Sequence, residues 1–256
     1  KISEWRDKSG NNNHANQLTS ADRPTYNIDR MEFDGSNDMF TFAHGVVPDS
    51  TDASMVFLVA RCGAASGNDG FISNGRFSTT SQSYSYRTNG TSGYSWYSWG
   101  NDLAISNAGD NAALQVHAIE LSVTGSSVKV YLNGALKGTK TSFTGTANAG
   151  SEEGQLGRSN GANETLDGSI CEVLIFKKEP NDSERQKVEG YLAHRWGLQN
   201  GLASGHPYLA GRPLTTGTPS YITDTPFGTG KAIDLSEGHV EISTGGTEDI
   251  FDGGAQ

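Results

Sequence analysis

Residues 128–140, VKVYLNGALKGTK, constrain the fold of this chain more than any other stretch. Apolar and polar residues alternate on both sides of Asn133-Gly134, and such a two-residue loop suits a hairpin in which both central residues need φ > 0. Period-two alternation is the signature of a strand with two different faces. The signal recurs along the chain. MEFDGSNDMFTF (Met31–Phe42) reads as strand, polar corner, strand. ASMVFLVARC (Ala53–Cys62) is a continuous apolar run of strand length, as expected for a strand buried on both faces. GFISNG (Gly70–Gly75), SYSYRTNGTSGYSWYSW (Ser83–Trp99), VHAIELSV (Val116–Val123) and GSICEVLIF (Gly168–Phe176) extend the series.

One segment breaks the strand pattern. NDSERQKVEGYLAHRWGL begins with Asn181 as N-cap and has Glu184 three residues on, a capping-box arrangement. Val188, Tyr191, Leu192 and Trp196 fall at helical spacing on one stripe, and Gly197 marks the stop. The expectation is an all-β, two-sheet antiparallel sandwich with one C-terminal α-helix packed on its outside. A length of 256 residues accommodates that as a single domain. With 34% hydrophobic residues, 33 glycines and aromatics spread throughout, the chain has the composition of many short strands joined by turns.

A net charge of −10 argues against nucleic acid, whose binders need a basic face. No run approaches the roughly 20 apolar residues of a membrane span, so no membrane insertion is expected. The chain opens on Lys1 without a signal-peptide pattern and reads as a piece of a longer protein. Cys62 and Cys171 fit no zinc spacing; they are either one disulfide or two small buried apolar residues.

Past GHPYLAGRP the texture changes. Residues 211–229 are rich in Thr, Gly and Pro and read as a linker. Residues 230–256 open with KAIDLSEGHVEIS, which repeats the layout of RMEFDGSNDMFTF. They are expected to be the opening hairpin of a second, truncated repeat, adding a strand to an open edge of the first domain (1–210) or of a neighbouring molecule.

WRDKSGNNNHA, FDGSNDMF, VKVYLNGALKG, GSICEVLIF and NDSERQKVEGYLAHRWGL…GHPY, taken in this order, resemble the laminin-G-like, concanavalin A-like lectin/glucanase superfamily over about residues 1–210. The resemblance is to its bacterial branch in large secreted proteins, and it implies a jelly roll with a concave face. Domains of this type usually begin with a strand carrying an aromatic and an Asp before the Trp-x-Asp motif, and that strand is missing here. A Gly common in the related motif is replaced by Asn12.

Superfamily glucanases carry a Glu-x-Asp-x-x-Glu strand, which sets two carboxylates on one face at the spacing retaining hydrolysis needs. This chain has no such strand: Glu120 and Glu172 each stand alone, and Glu152-Glu153 would point to opposite faces. No nucleophile motif accompanies the scattered histidines. A glycoside hydrolase is therefore the remote alternative. The reading is a non-catalytic, lectin-like module of a secreted or cell-surface protein that binds polysaccharide or glycoconjugate. The alternative from another class is a structural or adhesive repeat that contacts protein, neighbouring domains of the parent included.

Aromatic faces stack on the C–H faces of sugars. Tyr84, Tyr86, Tyr94, Trp96 and Trp99, with Asn101 and Asp102, make the expected glycan platform. Asp7, Asp34, Asp38 and Asp167 fall at strand ends and are the candidate Ca²⁺ ligands, since Ca²⁺ wants 6–8 oxygens. Ser9-Gly10-Asn11-Asn12-Asn13 is expected first as a tight turn, because Asn tolerates the left-handed backbone best after Gly.

Overall fold

The structure is a computed structural model, and it describes residues 1–47, 52–63, 67–75, 78–142, 152–159, 164–211 and 248–252. In chain order the strands are β1 (Glu4–Trp5), β2 (Ala15–Asn16), β3 (Thr25–Asn27), β4 (Arg30–Asp34), β5 (Phe40–Phe42), β6 (Ser54–Cys62), β7 (Gly70–Gly75) and β8 (Ser83–Thr88). They continue with β9 (Tyr94–Tyr97), β10 (Leu103–Ile105), β11 (Gln115–Ser122), β12 (Ser127–Leu132), β13 (Ala135–Thr141), β14 (Gly154–Leu156), β15 (Asp167–Phe176) and β16 (Glu248–Asp252). The helix α1 spans Asp182–Arg195.

Two antiparallel sheets face each other. The first has eight strands in the order β1-β2-β5-β14-β7-β8-β9-β10. The second runs β13-β12-β11-β6-β15-β4-β3, with β16 added beside β15. This is the expected all-β sandwich. The sequence of crossings is visible at Asp34–Asp38: β4 belongs to the second sheet and β5 to the first, so the corner carries the chain between layers and is not a hairpin.

The hairpin at Asn133-Gly134 forms as its residues require. Leu132 pairs with Ala135, and Asn133 and Gly134 take φ of 48° and 77°. The largely apolar strand β6 lies mid-sheet between β11 and β15, where both its faces are covered. Val56, Leu58, Ala60 and Cys62 join Phe40, Phe71, Trp96, Ile119 and Val173 in the core between the sheets. Met55, Phe57 and Val59 point the other way, into a second core that α1 closes with Val188, Tyr191 and Leu192. At roughly 25 cal/mol per Å² of apolar surface, such two-sided burial makes β6 a principal source of stability.

The helix starts where its cap chemistry places it. Asn181 Oδ1 accepts from the backbone N–H groups of Ser183 (3.0 Å) and Glu184 (3.2 Å), satisfying two of the orphan donors of the first turn. It ends before Gly197, which takes φ of 70°. Beneath it lies a buried ionic network: Arg185 Nη1 donates to Glu189 at 2.7 Å, its Nε lies 3.1 Å from Glu120, and His206 Nε2 is 3.2 Å from Glu189. Arg185 also stacks on the Tyr131 ring at 3.8 Å.

The two cysteines do not form a disulfide. Both are free and buried, Cys62 in the core between the sheets and Cys171 in the core under the helix. Opposite faces of one sheet direct their Cβ atoms apart, which a disulfide cannot bridge. The linker (211–229) and the hairpin expected at 230–256 lie outside the described residues, apart from Gly211 and β16.

Candidate functional site

The predicted aromatic platform divides between the two faces of the first sheet. Ile72, Tyr86, Trp96 and Leu103 stand in register across β7, β8, β9 and β10. This row, with Tyr84 and Tyr94, faces the second sheet, and Tyr84, Tyr86, Tyr94 and Trp96 are at most 2% exposed. Tyr86 and Tyr94 stack at 5.8 Å, and Trp96 meets Tyr84 edge-on at 5.9 Å. Burial raises the pKa of the Tyr84, Tyr86 and Tyr94 phenols above the usual tyrosine range. These four residues are core and offer no face to a sugar. The reason is that the most aromatic side of a strand is also its most hydrophobic side, and it closes on the opposing sheet.

The other side of the same strands is serine-rich and largely covered: Ser73 and Ser85 are fully buried and Ser95 nearly so, while Thr41, Gln155 and Tyr97 are partly exposed. Thr41, Gln155, Ser73, Ser85 and Tyr97 lie opposite one another across β5, β14, β7, β8 and β9. Ser95 pairs with Arg87 one row on. Over the middle of this face runs the Arg158–Ser159 backbone, bridged to Thr165. Ser73 Oγ donates to the Arg158 carbonyl at 2.8 Å, and Ser85 Oγ donates to Ser159 Oγ at 2.8 Å. The backbone can come this close because residue 70 is Gly: a Cβ there would sit 1.9 Å from the Ser159 nitrogen. The crossing covers the middle of the face.

Beside that crossing stands a polar-aromatic cluster built on Arg87, Tyr97, Trp99 and Glu164. The Arg87 guanidinium lies over the Tyr97 ring, 3.8 Å from its centroid, donates from Nε to Ser95 Oγ at 3.3 Å and pairs through Nη1 with Glu164. Tyr97 meets Trp99 edge-on at 5.8 Å. Both rings are half-exposed. Burial raises the Tyr97 phenol, with Arg87 opposing the shift.

Trp99 is held in an unusual backbone state, φ of 49°. Asp102 fixes it there, accepting from the backbone N–H groups of Ser98 (2.7 Å) and Gly100 (3.3 Å). A non-glycine residue in this region carries strain, and the flanking hydrogen bonds over-determine it. Asn101 Nδ2 reaches Ser81 Oγ at 3.5 Å. Of the seven expected platform residues, Trp99 thus stays at the surface, Asn101 and Asp102 shape its turn, and the other four are interior. Arg87, Ser95, Tyr97 and Glu164 escaped the sequence reading. Strict alternation from Trp96 would have placed Tyr97 and Ser95 on the opposite face; Glu164, distant in sequence, carries no local signal.

The four candidate calcium ligands do not assemble. Asp7 accepts from Ser9 N (2.8 Å), Ser9 Oγ (2.9 Å) and Asn13 N (3.0 Å), so the first polar run is a self-satisfied turn with Gly10 and Asn12 at positive φ. Asp34 accepts from the N–H groups of Ser36, Asn37 and Asp38, which lower its pKa against the effect of burial. Asp38 pairs with Lys1 at 2.6 Å; burial nevertheless raises its pKa. Asp167 sits opposite Asp34 in the β15–β4 ladder. The carboxylates of Asp7, Asp34 and Asp38 each close a local turn or ion pair, and no group of three or more metal-ligating side chains gathers among the described residues. Glu120 and Glu172 lie on the helix side of the second sheet. Glu120 is 3.1 Å from Arg185 Nε, and Glu172 accepts from Trp196 Nε1 at 2.6 Å, so neither faces the Tyr97–Trp99 cluster.

Solved structures share this architecture at low identity, a likeness that concerns the fold alone. The binding domain of Paraclostridial Mosquitocidal Protein 1 superposes with a TM-score of 0.56 at 10% identity, over 74% of this chain and 52% of that one. Trypanosoma rangeli sialidase gives 0.57 at 10% identity, over 76% of this chain and 31% of that enzyme. The CBM40 of Ruminococcus gnavus IT-sialidase, solved with α2,3-sialyllactose, gives 0.44 at 13% identity, over 52% of this chain and 80% of that one. No curated protein matches the chain in sequence. A laminin-G-type family profile matches residues 24–184, from the strand before β4 to the first turn of α1, and the chain belongs to that family of the concanavalin A-like lectin/glucanases superfamily.

Proposed function

We propose that this chain is a non-catalytic carbohydrate-binding module of a secreted or cell-surface protein, taking its glycan at the outer side of the first sheet where Tyr97 and Trp99 are partly exposed. The observation that supports this reading most is the half-exposed Tyr97–Trp99 pair, with Arg87 stacked on Tyr97 and Glu164 beside it. Partly exposed aromatic rings offer C–H stacking surface, while the Arg87 guanidinium and the Glu164 carboxylate provide donors and acceptors for sugar hydroxyls. The Arg158–Ser159 crossing borders this cluster through Glu164, whose carbonyl accepts from the Ser159 N–H at 2.9 Å. Glu164 is engaged by Arg87, an arrangement suited to holding the guanidinium in place over Tyr97.

Native electrophoresis in gels containing a panel of soluble polysaccharides, with Ca²⁺ and with chelator, tests the reading. Retardation by one glycan, lost in Trp99→Ala and Tyr97→Ala, is the expected result. Retardation unchanged in both variants moves the site elsewhere, and its absence across a broad panel favours an adhesive or spacing repeat. The chelator arm decides whether Ca²⁺ takes part. Release of reducing ends from a retarding glycan would restore the hydrolase alternative.

A further inference from the structure

Strand β15 is ten residues long and pairs with β6 from Gly168 to Phe176, yet on its other side β4 reaches only from Asp167 to Ile170. A register irregularity falls between Ile170 and Glu172, just where β4 stops. The remaining half-edge, Glu172–Phe176, carries the sequence EVLIF. Its side chains serve both cores: Val173 and Ile175 face the opposing sheet, Leu174 and Phe176 face the helix. An apolar edge of this kind, with its row of backbone donors and acceptors, is a template for a further strand.

In the structure that strand is β16, antiparallel, pairing Glu172 with Asp252, Leu174 with Ile250 and Phe176 with Glu248. It comes from far along the chain. Residues 212–247, 36 in number, separate it from the last described residue of the preceding unit. A connection of that length spans up to roughly 120 Å when extended, so connectivity does not oblige donor and acceptor to be one molecule. Main-chain pairing is the same whichever copy supplies the strand.

We propose that the Glu172–Phe176 edge is a strand-acceptor site through which copies of this chain exchange Glu248–Asp252, one copy's strand completing another's second sheet. The occupant is a second copy, because the donor that fits in register is carried by the chain itself.

The test uses the full chain. Sedimentation velocity across a hundredfold concentration range should show a dimer or larger species growing with concentration. In Ile250→Pro/Phe251→Pro, whose donor strand lacks two backbone N–H groups, that species should disappear. Amide exchange in Glu172–Phe176 should quicken at least tenfold in the variant. A labelled peptide of residues 246–254 should bind the variant and restore the protection. Failure of the peptide to bind, with exchange unchanged, overturns the acceptor site itself. Peptide binding to the variant while the wild-type chain stays monomeric at every concentration overturns exchange between copies and leaves the strand a purely internal clasp. Concentration-dependent association of the wild type that persists unchanged in the variant assigns the contact to another surface and also overturns the proposal.

Discussion

The hydroxyl of Tyr86 lies 3.0 Å from Nδ1 of His117, joining the two sheets through a hydrogen bond in the middle of their shared core. Nε2 of the same ring lies 3.2 Å from the Ala60 carbonyl. A neutral imidazole with its proton on Nε2 satisfies both contacts, accepting from Tyr86 and donating to Ala60. Phe71, Tyr86 and Tyr94 surround the ring at 5.2–5.6 Å. Burial therefore pushes the His117 pKa down to about 4.

This depression makes a pH prediction. The unfolded chain takes up the His117 proton near its ordinary value of about 6.5, whereas the folded chain does so only near 4. Between those values the unfolded state binds more protons, so the contribution is present in full above about pH 6.5 and declines as pH falls toward 4. At about 1.4 kcal/mol per unit the loss is roughly 3 kcal/mol. Urea unfolding at pH 7, 5.5 and 4 should show this slope, and His117→Gln should flatten it relative to wild type while lowering stability at pH 7.

Trp96 and Tyr97 are neighbours in sequence with opposite fates, and their alanine variants should separate. Trp96→Ala opens a cavity at a fully buried site and should cost about 3–5 kcal/mol of stability. Tyr97→Ala should cost about 1 kcal/mol or less, yet weaken retention of a bound glycan tenfold or more, equivalent to about 1.4 kcal/mol of binding. Thermal melts paired with affinity electrophoresis measure both. Glycan loss in Trp96→Ala without loss of stability would contradict the placement of its side chain.

Gly134 combines φ of 77° with a built Cβ only 2.5 Å from His206 Cδ2. Gly134→Ala should therefore destabilise by about 1–2 kcal/mol, more than the hairpin strain alone. Combining it with His206→Ala should remove the clash but leave the strain, so the two effects should be non-additive. A double-mutant cycle by chemical denaturation checks this.

Cys62 and Cys171 should behave as inert thiols. Both are buried, and burial pushes the Cys171 thiol up to about 12. A thiol reagent at pH 8 should label the native chain slowly and label two sites at once in denaturant. Intact mass without reductant should show two free thiols, and a mass two hydrogens lighter would contradict the sheet-face assignment.

The alternation that revealed β8, β9, β12 and β13 was legible residue by residue, because a strand's period is a local property of its backbone. The Asn133-Gly134 turn and the Asn181 cap were legible for the same reason: their dihedrals and hydrogen bonds involve residues only a few positions apart. The family resemblance over the strands and helix was likewise carried by local motifs. Alternation does not say which of two faces will be covered. The first sheet turned its aromatic side toward β6 and β11, and that placed Tyr84, Tyr86, Tyr94 and Trp96 inside and left Tyr97 and Trp99 outside. Cys62 and Cys171 looked alike as lone cysteines until the sheet separated them into two cores. Arg87 and Glu164 are 77 positions apart, and only the crossing of Arg158–Ser159 over Gly70 brings them together. Local chemistry determined the elements and their ends; the packing of one sheet on another decided which side of each strand is core and which is free to bind.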